Sequence, residues 1–354
     1  MSPSTKSIAQ RISLWPKSPQ GPVTLEIYPT LRCNLNCQFC DTTDRHRPPM
    51  NERSLKRWLE IIDEAAQIGV QQLFVLGGGE PFIFNGLEHI LERAKKHGMR
   101  GMLTTNGTLI NKEKIQTLLR IGWDELHLSV DAPIPAIHDE LRGKKGSFQK
   151  TITTACQIAV SKRKLGLDSP KLVFHCVITN KNHKLLVEMV DLAYALGIQR
   201  VDFDHLIAYK PEQKQLELST DQLCEFKLVA QSAHKASKKL GIESNLEGFL
   251  NATPRGSEPP KPTTNTGLKG APCLRPWHHL VLQADGRSSP CCVLAGMGSA
   301  INDSTLSNFW QEEPFLKQLR ADMIAKKPHA RCVECSSNIL QHEHNIRSFL
   351  PADE

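Results

Sequence analysis

The chain has 354 residues, 40% of them hydrophobic and 23% charged, with a formal net charge of +7. That is enough for one large or two ordinary domains around a sizeable core, and it excludes a disordered chain. Lys and Arg are scattered over helical faces (Lys56, Arg57, Lys95, Lys96, Lys238, Lys239) rather than massed, so nucleic-acid binding is not expected.

Residues 1–20 hold no apolar run followed by a small-residue cleavage site, and no stretch of about 18 apolar residues comes later. The expectation is a cytoplasmic protein without a membrane span. The cysteines number eleven, an odd count with no export signal before them, which points to metal ligation rather than disulfides.

In chain order, residues 7–15 read as a weakly amphipathic turn in a frayed tail, and 23–28 as a strand. Helical spacing of Leu55, Trp58, Leu59, Ile62 and Ala66 predicts a helix over 53–68 with Gly69 as its stop. A short apolar strand at 71–76 ends in glycines. Helices at 87–97, 112–121, 148–162 and 184–196 then alternate with strands at 101–105, 125–130, 172–178 and 200–206. Six strands alternating with helices predict a parallel α/β sheet with its ligand sites at the carboxyl ends of the strands. A polar helix at 220–239 precedes a Pro-, Thr-, Gly- and Ser-rich linker. The expected organisation is a tail (1–22), a core (23–250), a linker (251–270), a cysteine-bearing domain (271–340) and a second tail (341–354).

Cys33, Cys37 and Cys40 stand at the spacing C-x3-C-x2-C directly after the first strand. Three thiolates on one loop can bind three irons of a cubane and leave the fourth open, whereas clusters that only carry electrons normally have four cysteine ligands. A zinc knuckle completed by His46 is the alternative, but paired Cys-x2-Cys or His-x3-His hooks are the zinc pattern. Gly77-Gly78-Gly79-Glu80-Pro81 follows the second strand, Thr105-Asn106-Gly107-Thr108 the third and Ser129-Val130-Asp131 the fourth. Alternation on a strand would point Ser129 and Asp131 the same way. His138 to Gly143 comes next and contains Arg142, whose planar fork suits a carboxylate.

These motifs resemble those of the radical S-adenosylmethionine (SAM) superfamily. The resemblance implies a partial (β/α)6 TIM-like barrel. It also implies a [4Fe–4S] cluster on Cys33, Cys37 and Cys40 whose open iron is chelated by SAM, and reductive cleavage of SAM to a 5′-deoxyadenosyl radical. Carried over residue by residue, Gly78, Gly79 and Glu80 would hold the SAM amino group, and Arg142 its carboxylate. Ser129 and Asp131 would meet the ribose, Phe39 would pack near the adenine, and Asn106 would complete the cofactor contacts. A reducing partner such as flavodoxin or ferredoxin is implied as well.

Cys273, Gly286 and Cys291 are similar to the opening C-x9–15-G-x4-C of SPASM and twitch auxiliary-cluster domains, with 280–282 and Asp285-Gly286 fitting a hairpin. Cys332 and Cys335 come later, and no cysteine follows them. The resemblance implies one auxiliary [4Fe–4S] cluster on Cys273, Cys291, Cys332 and Cys335, with Cys292 as a substitute for Cys291. A structural zinc site is the alternative. Cys156, Cys176 and Cys224 are assigned no chemistry.

A cluster with every iron ligated by cysteine suits outer-sphere electron transfer. The expected enzyme is therefore a radical SAM oxidoreductase acting on a small sugar- or cyclitol-like molecule, with the auxiliary cluster as electron acceptor. The alternative is a maturase that crosslinks, epimerises or oxidises a peptide, and a non-catalytic zinc protein is a third possibility. Asp202, Asp204 and His205, at the end of the sixth strand, are the candidates for a general base.

Overall fold

The computed structural model describes residues 4–40, 51–76, 78–208, 210–251, 267–335 and 337–351. His46, Gly77 and positions 252–266 of the expected linker lie outside them. The strands are β1 (Thr24–Ile27), β2 (Gln72–Val75), β3 (Arg100–Thr105), β4 (Glu125–Ser129), β5 (Lys171–Ile178), β6 (Arg200–His205), β7 (Glu243–Ser244), β8 (His279–Leu282) and β9 (Ser288–Ser289). They form one sheet in the order β7-β6-β5-β4-β3-β2-β1-β8-β9. Every pairing is parallel except the β8–β9 hairpin. The sheet ends in two edges, β7 and β9, so the barrel is partial.

All six expected strands are present, as are the helices between them, at Leu55–Gln67, Leu87–Lys96, Lys112–Arg120, Ser147–Leu165, Leu186–Leu196 and Thr220–Leu240. Local chemistry sets their ends. The Ser54 hydroxyl accepts from the Arg57 N–H, so the first of these helices starts at Leu55. Asn111 caps the third in the same way, and Ser219 with Gln222 forms a capping box on the last. The helix Pro135–Arg142 has no counterpart in the expected elements. It is two turns long, opened by proline and stopped by Gly143, too short for apolar periodicity to reveal.

The two faces of the sheet differ sharply. Leu25, Ile27, Leu73, Val75, Leu103, Leu126, Leu128, Leu172, Phe174, Val201 and Phe203 are buried in the core that includes the helices. Alternation turns Thr24, Glu26, Gln72, Arg100, Glu125, His127, His175, Arg200, Asp202, Asp204 and His279 to the inner face. These polar groups satisfy one another. Glu125 pairs with Arg100, lies 3.2 Å from Arg200 and bonds His127 at 3.1 Å. Glu26 and His279 meet at 2.8 Å across the β1–β8 pair, and the Thr24 hydroxyl donates to the Gln72 side chain at 2.9 Å.

Among the described residues both expected tails contain helix. Residues Thr5–Ser13 form a helix capped by Ser4 whose Ile8, Ala9 and Ile12 are buried in a second core with Leu319, Met323, Ile346 and Leu350. At the other end the helix Ser337–Arg347 runs through the expected boundary at 341 and buries Glu343 and Ile346 completely. Each segment is short and finds its apolar partner at the far end of the chain, so local pattern carries little signal for either. Arg320 fastens this region: its guanidinium lies 4.5 Å from the Trp15 ring and 4.3 Å from Trp310, and it donates to the carbonyls of Pro276 and Trp310. Among the described residues no helix is long and apolar enough to cross a membrane.

Candidate active site at the carboxyl ends of the strands

The loop that leaves β1 is held by main-chain bonds. Gly79 N–H donates to the Thr30 carbonyl at 2.9 Å and Glu80 N–H to the Arg32 carbonyl at 2.8 Å. On the other side Asn36 N–H donates to Arg142 and Gln38 N–H to Leu141. Such contact requires glycine. A Cβ on Gly79 would lie 2.0 Å from the Arg32 carbonyl oxygen. One on Gly143, where φ is +62°, would lie 2.2 Å from that of Asn36. These glycines therefore admit the cysteine loop itself.

Burial pushes the Cys33 thiol up and carries Cys37 to about 12; Arg142 opposes the shift at Cys37, while Asp131, Cys40 and Cys33 add to it. Buried thiols of this kind prefer to be neutral, so a strongly cationic partner such as iron is what makes them thiolates. Three soft donors on one short loop fit an iron–sulfur cluster.

Glu80 is buried, and burial raises its pKa against the opposing pull of its hydrogen bonds. Its Oε1 accepts from the Thr105 hydroxyl (2.7 Å) and Phe82 N–H (3.2 Å), and Oε2 from Asn106 N–H (2.8 Å). A carboxylate has about four acceptor positions, so the bonds from Thr105 and Asn106 tie the second strand end to the third, that from Phe82 closes the local turn, and one position is left for an ammonium group. Asn106 braces the thiol loop. Its Nδ2 donates to Asn34 Oδ1 at 2.9 Å, its Oδ1 accepts from Thr108 N–H, and Asn34 Nδ2 donates to the Thr108 hydroxyl at 2.8 Å.

β4 ends at Ser129, and both Ser129 and Asp131 are buried, Asp131 completely. Its Oδ1 accepts from Val177 N–H and its Oδ2 lies 2.5 Å from Arg142 Nε. Arg142 in turn sits 5.2 Å from the Phe39 ring and 3.7 Å from Cys37 Sγ. Burial would lower its pKa, but Asp131 and Cys37 outweigh that and raise it. The structure thus unites three residues read separately: Asp131 holds Arg142, and Arg142 holds Phe39 and the thiol loop.

The base candidates separate. Asp202 accepts from Arg200 Nε at 3.0 Å, and Asp204 meets His175 Nε2 at 2.8 Å, both on the inner face. His205 turns outward and packs its ring 4.4 Å from Phe249, which removes it from the site. His175 was missed because it stands in an apolar run; its register beside Ser129 and Asp202 was the available signal. Burial would depress its pKa, but the hydrogen bond and charge of Asp204 raise it. A groove of about 820 Å³ between the helices Lys112–Arg120 and Ser147–Leu165 lies on the outer face, away from these groups.

Cys273, Cys291, Cys332 and Cys335 line one cavity with Arg275, Leu294, Leu319 and Met323, and the expected hairpin is β8–β9. Cys292, the substitute ligand, is exposed and absent from that lining. Among the described residues no three side chains converge on the position of a single ion; the four thiols share one cavity lining. Burial raises all of Cys273, Cys291 and Cys335, the last to about 12. Behind them Glu343 accepts from Leu274 N–H at 3.0 Å and bonds His278 Nε2 at 3.1 Å. Burial alone would raise the Glu343 carboxyl, but His278 and Arg275 hold it at about 2.

The family model of the radical SAM superfamily matches residues 27–200, and that of the SPASM iron–sulfur cluster-binding domain matches 273–336. Among curated relatives, PqqA peptide cyclase of Gluconobacter oxydans is 25% identical over 323 residues, covering 89% of this chain and 83% of its own. The AdoMet-dependent heme synthase of Methanosarcina barkeri is 25% identical over 315 residues, covering 82% of each. Streptococcus suis SuiB bound to S-adenosylmethionine superposes with a TM-score of 0.68 at 18% identity, over 91% of this chain and 75% of that one. Native anSMEcpe with bound AdoMet gives 0.64 at 16% identity, over 93% and 96%. With both family models spanning its two thiol sets, the chain belongs to the radical SAM superfamily: it is a radical SAM enzyme with a SPASM domain, and its cofactors are SAM, the [4Fe–4S] cluster that binds it and an auxiliary iron–sulfur cluster.

Proposed function

We propose that this enzyme modifies a peptide by removing hydrogen from an unactivated carbon. The observation that carries this reading is the likeness to PqqA peptide cyclase, which covers 89% of this chain and so extends beyond the barrel. It favours the peptide alternative over the sugar or cyclitol substrate expected first.

When bound, SAM and its cluster supply a 5′-deoxyadenosyl radical. The residues divide the remaining work. Cys33, Cys37 and Cys40 ligate iron; Glu80 takes the SAM ammonium on its remaining acceptor position; Arg142, fixed by Asp131, takes the carboxylate. Phe39 packs near the adenine, Ser129 meets the ribose, and Asn106, Gly78 and Gly79 keep the loop in place. The substrate radical left after hydrogen abstraction must lose a proton and an electron to form a new bond or double bond. The Asp204–His175 pair on the inner face receives the proton. Cys273, Cys291, Cys332 and Cys335 would hold the auxiliary cluster, which would supply the acceptor for the electron, and an external carrier such as flavodoxin or ferredoxin would supply the one needed to cleave SAM.

A second reading, a step in heme synthesis, has support from the comparably long match to the Methanosarcina protein. Anaerobically reconstituted enzyme with SAM and a reductant should be offered pools of short peptides, iron porphyrins and amino-cyclitols. Mass spectrometry should show a peptide short of two hydrogens, with one 5′-deoxyadenosine formed per product. Turnover of only the porphyrin or only the cyclitol pool would overturn the peptide reading.

A further inference from the structure

We infer that Arg275 sets the readiness of the auxiliary cluster to accept an electron, acting as a fixed cation in the wall of the four-thiol cavity. The inference rests on the assignment of Cys273, Cys291, Cys332 and Cys335 to that cluster. Arg275 lines the same cavity as all four thiols, and only 16% of its side chain is exposed. Its Nε lies 3.8 Å from Glu343 Oε1, and that buried N–H makes no hydrogen bond. Glu343 is occupied elsewhere, by Leu274 N–H and His278, so it anchors the guanidinium from behind without capping it. Leu274 and His278 lie on the same short segment as Arg275, so Glu343 holds that segment at all three residues.

The physical argument is charge. Each electron added to a thiolate-ligated cluster makes it more anionic, and the potentials of such clusters respond to net charge and burial. In a low-dielectric cavity a nearby cation stabilises the reduced form more than the oxidised one. Glu343, of opposite charge, works against this. Arg275 is a positioning residue for the electron-transfer step and touches no substrate.

The test is a redox titration of the reconstituted full chain followed by electron paramagnetic resonance. The auxiliary signal is identified as the one that survives in the Cys33→Ala/Cys37→Ala/Cys40→Ala variant. Arg275→Gln should lower the reduction equilibrium constant about tenfold, a potential about 59 mV more negative for a one-electron couple. Arg275→Lys should stay near the parent, and Glu343→Gln should move the other way. A Gln variant with parental iron and parental potential would overturn the inference, as would a Lys variant that falls as far as Gln. Should the Gln variant not load iron, a near-parental Lys variant with a more positive Glu343→Gln supports the inference, and no movement in Glu343→Gln overturns it. Loss of every iron–sulfur signal in the triple cysteine variant would instead overturn the four-thiol assignment, and this inference with it.

Discussion

The two thiol sets are built on different principles. Cys33, Cys37 and Cys40 share one short loop, pinned by main-chain bonds to the turns at 78–80 and 141–143, which the sheet itself positions. Cys273, Cys291 and the pair Cys332 and Cys335 come from separate stretches, backed by a buried ionic cluster and by a core that draws on both ends of the chain. The first loop should therefore hold its shape without metal, whereas the second region, whose ligands come from separate stretches, should gain stability from its metal, because metal-binding free energy is also folding free energy.

The largest contrast should appear when thiols are removed. Either Cys33→Ala/Cys37→Ala/Cys40→Ala or Cys332→Ala/Cys335→Ala should halve an iron content of roughly eight per chain, the sum of two cubanes. The first variant should lose SAM cleavage entirely and keep the parental circular dichroism melt. The second should melt at lower temperature and, below its transition, still form 5′-deoxyadenosine in the absence of substrate. Equal melts would erase the contrast between the two sets.

Next in size are the polar contacts at the first site. Glu80→Ala and Arg142→Ala should each weaken SAM binding by about 2–5 kcal/mol, the usual cost of removing the partner of a bound charge. Asp131→Asn should cost about 1–3 kcal/mol, because Arg142 remains but loses the carboxylate that fixes it. Calorimetric titration of the reconstituted enzyme checks all three, and an Asp131 variant as weak as the Arg142 variant would show that the pair acts as one unit.

The smallest effect concerns the inner face, the ground shared by both sets. The cost of burying Glu125 is outweighed by His127, Arg200 and Arg100, which hold its carboxyl at about 2 against the usual 4.5. A depressed acid contributes stability above the unfolded pKa and loses it as pH falls toward the folded one. The contribution is on the order of 2–3 kcal/mol, lost between about pH 4.5 and 2. In urea melts from pH 6 downward, Glu125→Gln should start less stable than the parent and converge on it with acid. Parallel curves would mean that the Glu125 charge is not what joins Arg100 to Arg200.

What was legible in the amino-acid sequence was whatever a short window contains. The spacing of Cys33, Cys37 and Cys40, the apolar strands, the Gly-Glu turn after β2 and the turn at Gly286 all report themselves within a few residues. What escaped depends on partners far apart in the chain. Asp131 and Arg142 each look like a free ligand group until the fold pairs them, and His175 acquires a role only beside Asp204. Glu343 looked like tail because its contacts are with residues 274 and 278. The same holds for Ile8, Ala9 and Ile12, whose partners lie beyond residue 270. The glycine turn was legible as a motif, whereas its crowding by the Arg32 carbonyl shows only in three dimensions.

The parallel pairing of β1 with β8 also bears on how the chain is made. One edge of β1, residues 24–27, takes its partner from residues 279–282. At a synthesis rate of about 5–20 residues per second, that edge waits on the order of tens of seconds on the ribosome before its neighbour exists. An unpaired strand edge is a template for the wrong partner. Shielding of the first strand during translation should therefore bear on the soluble yield of this enzyme, alongside the stability of the finished fold.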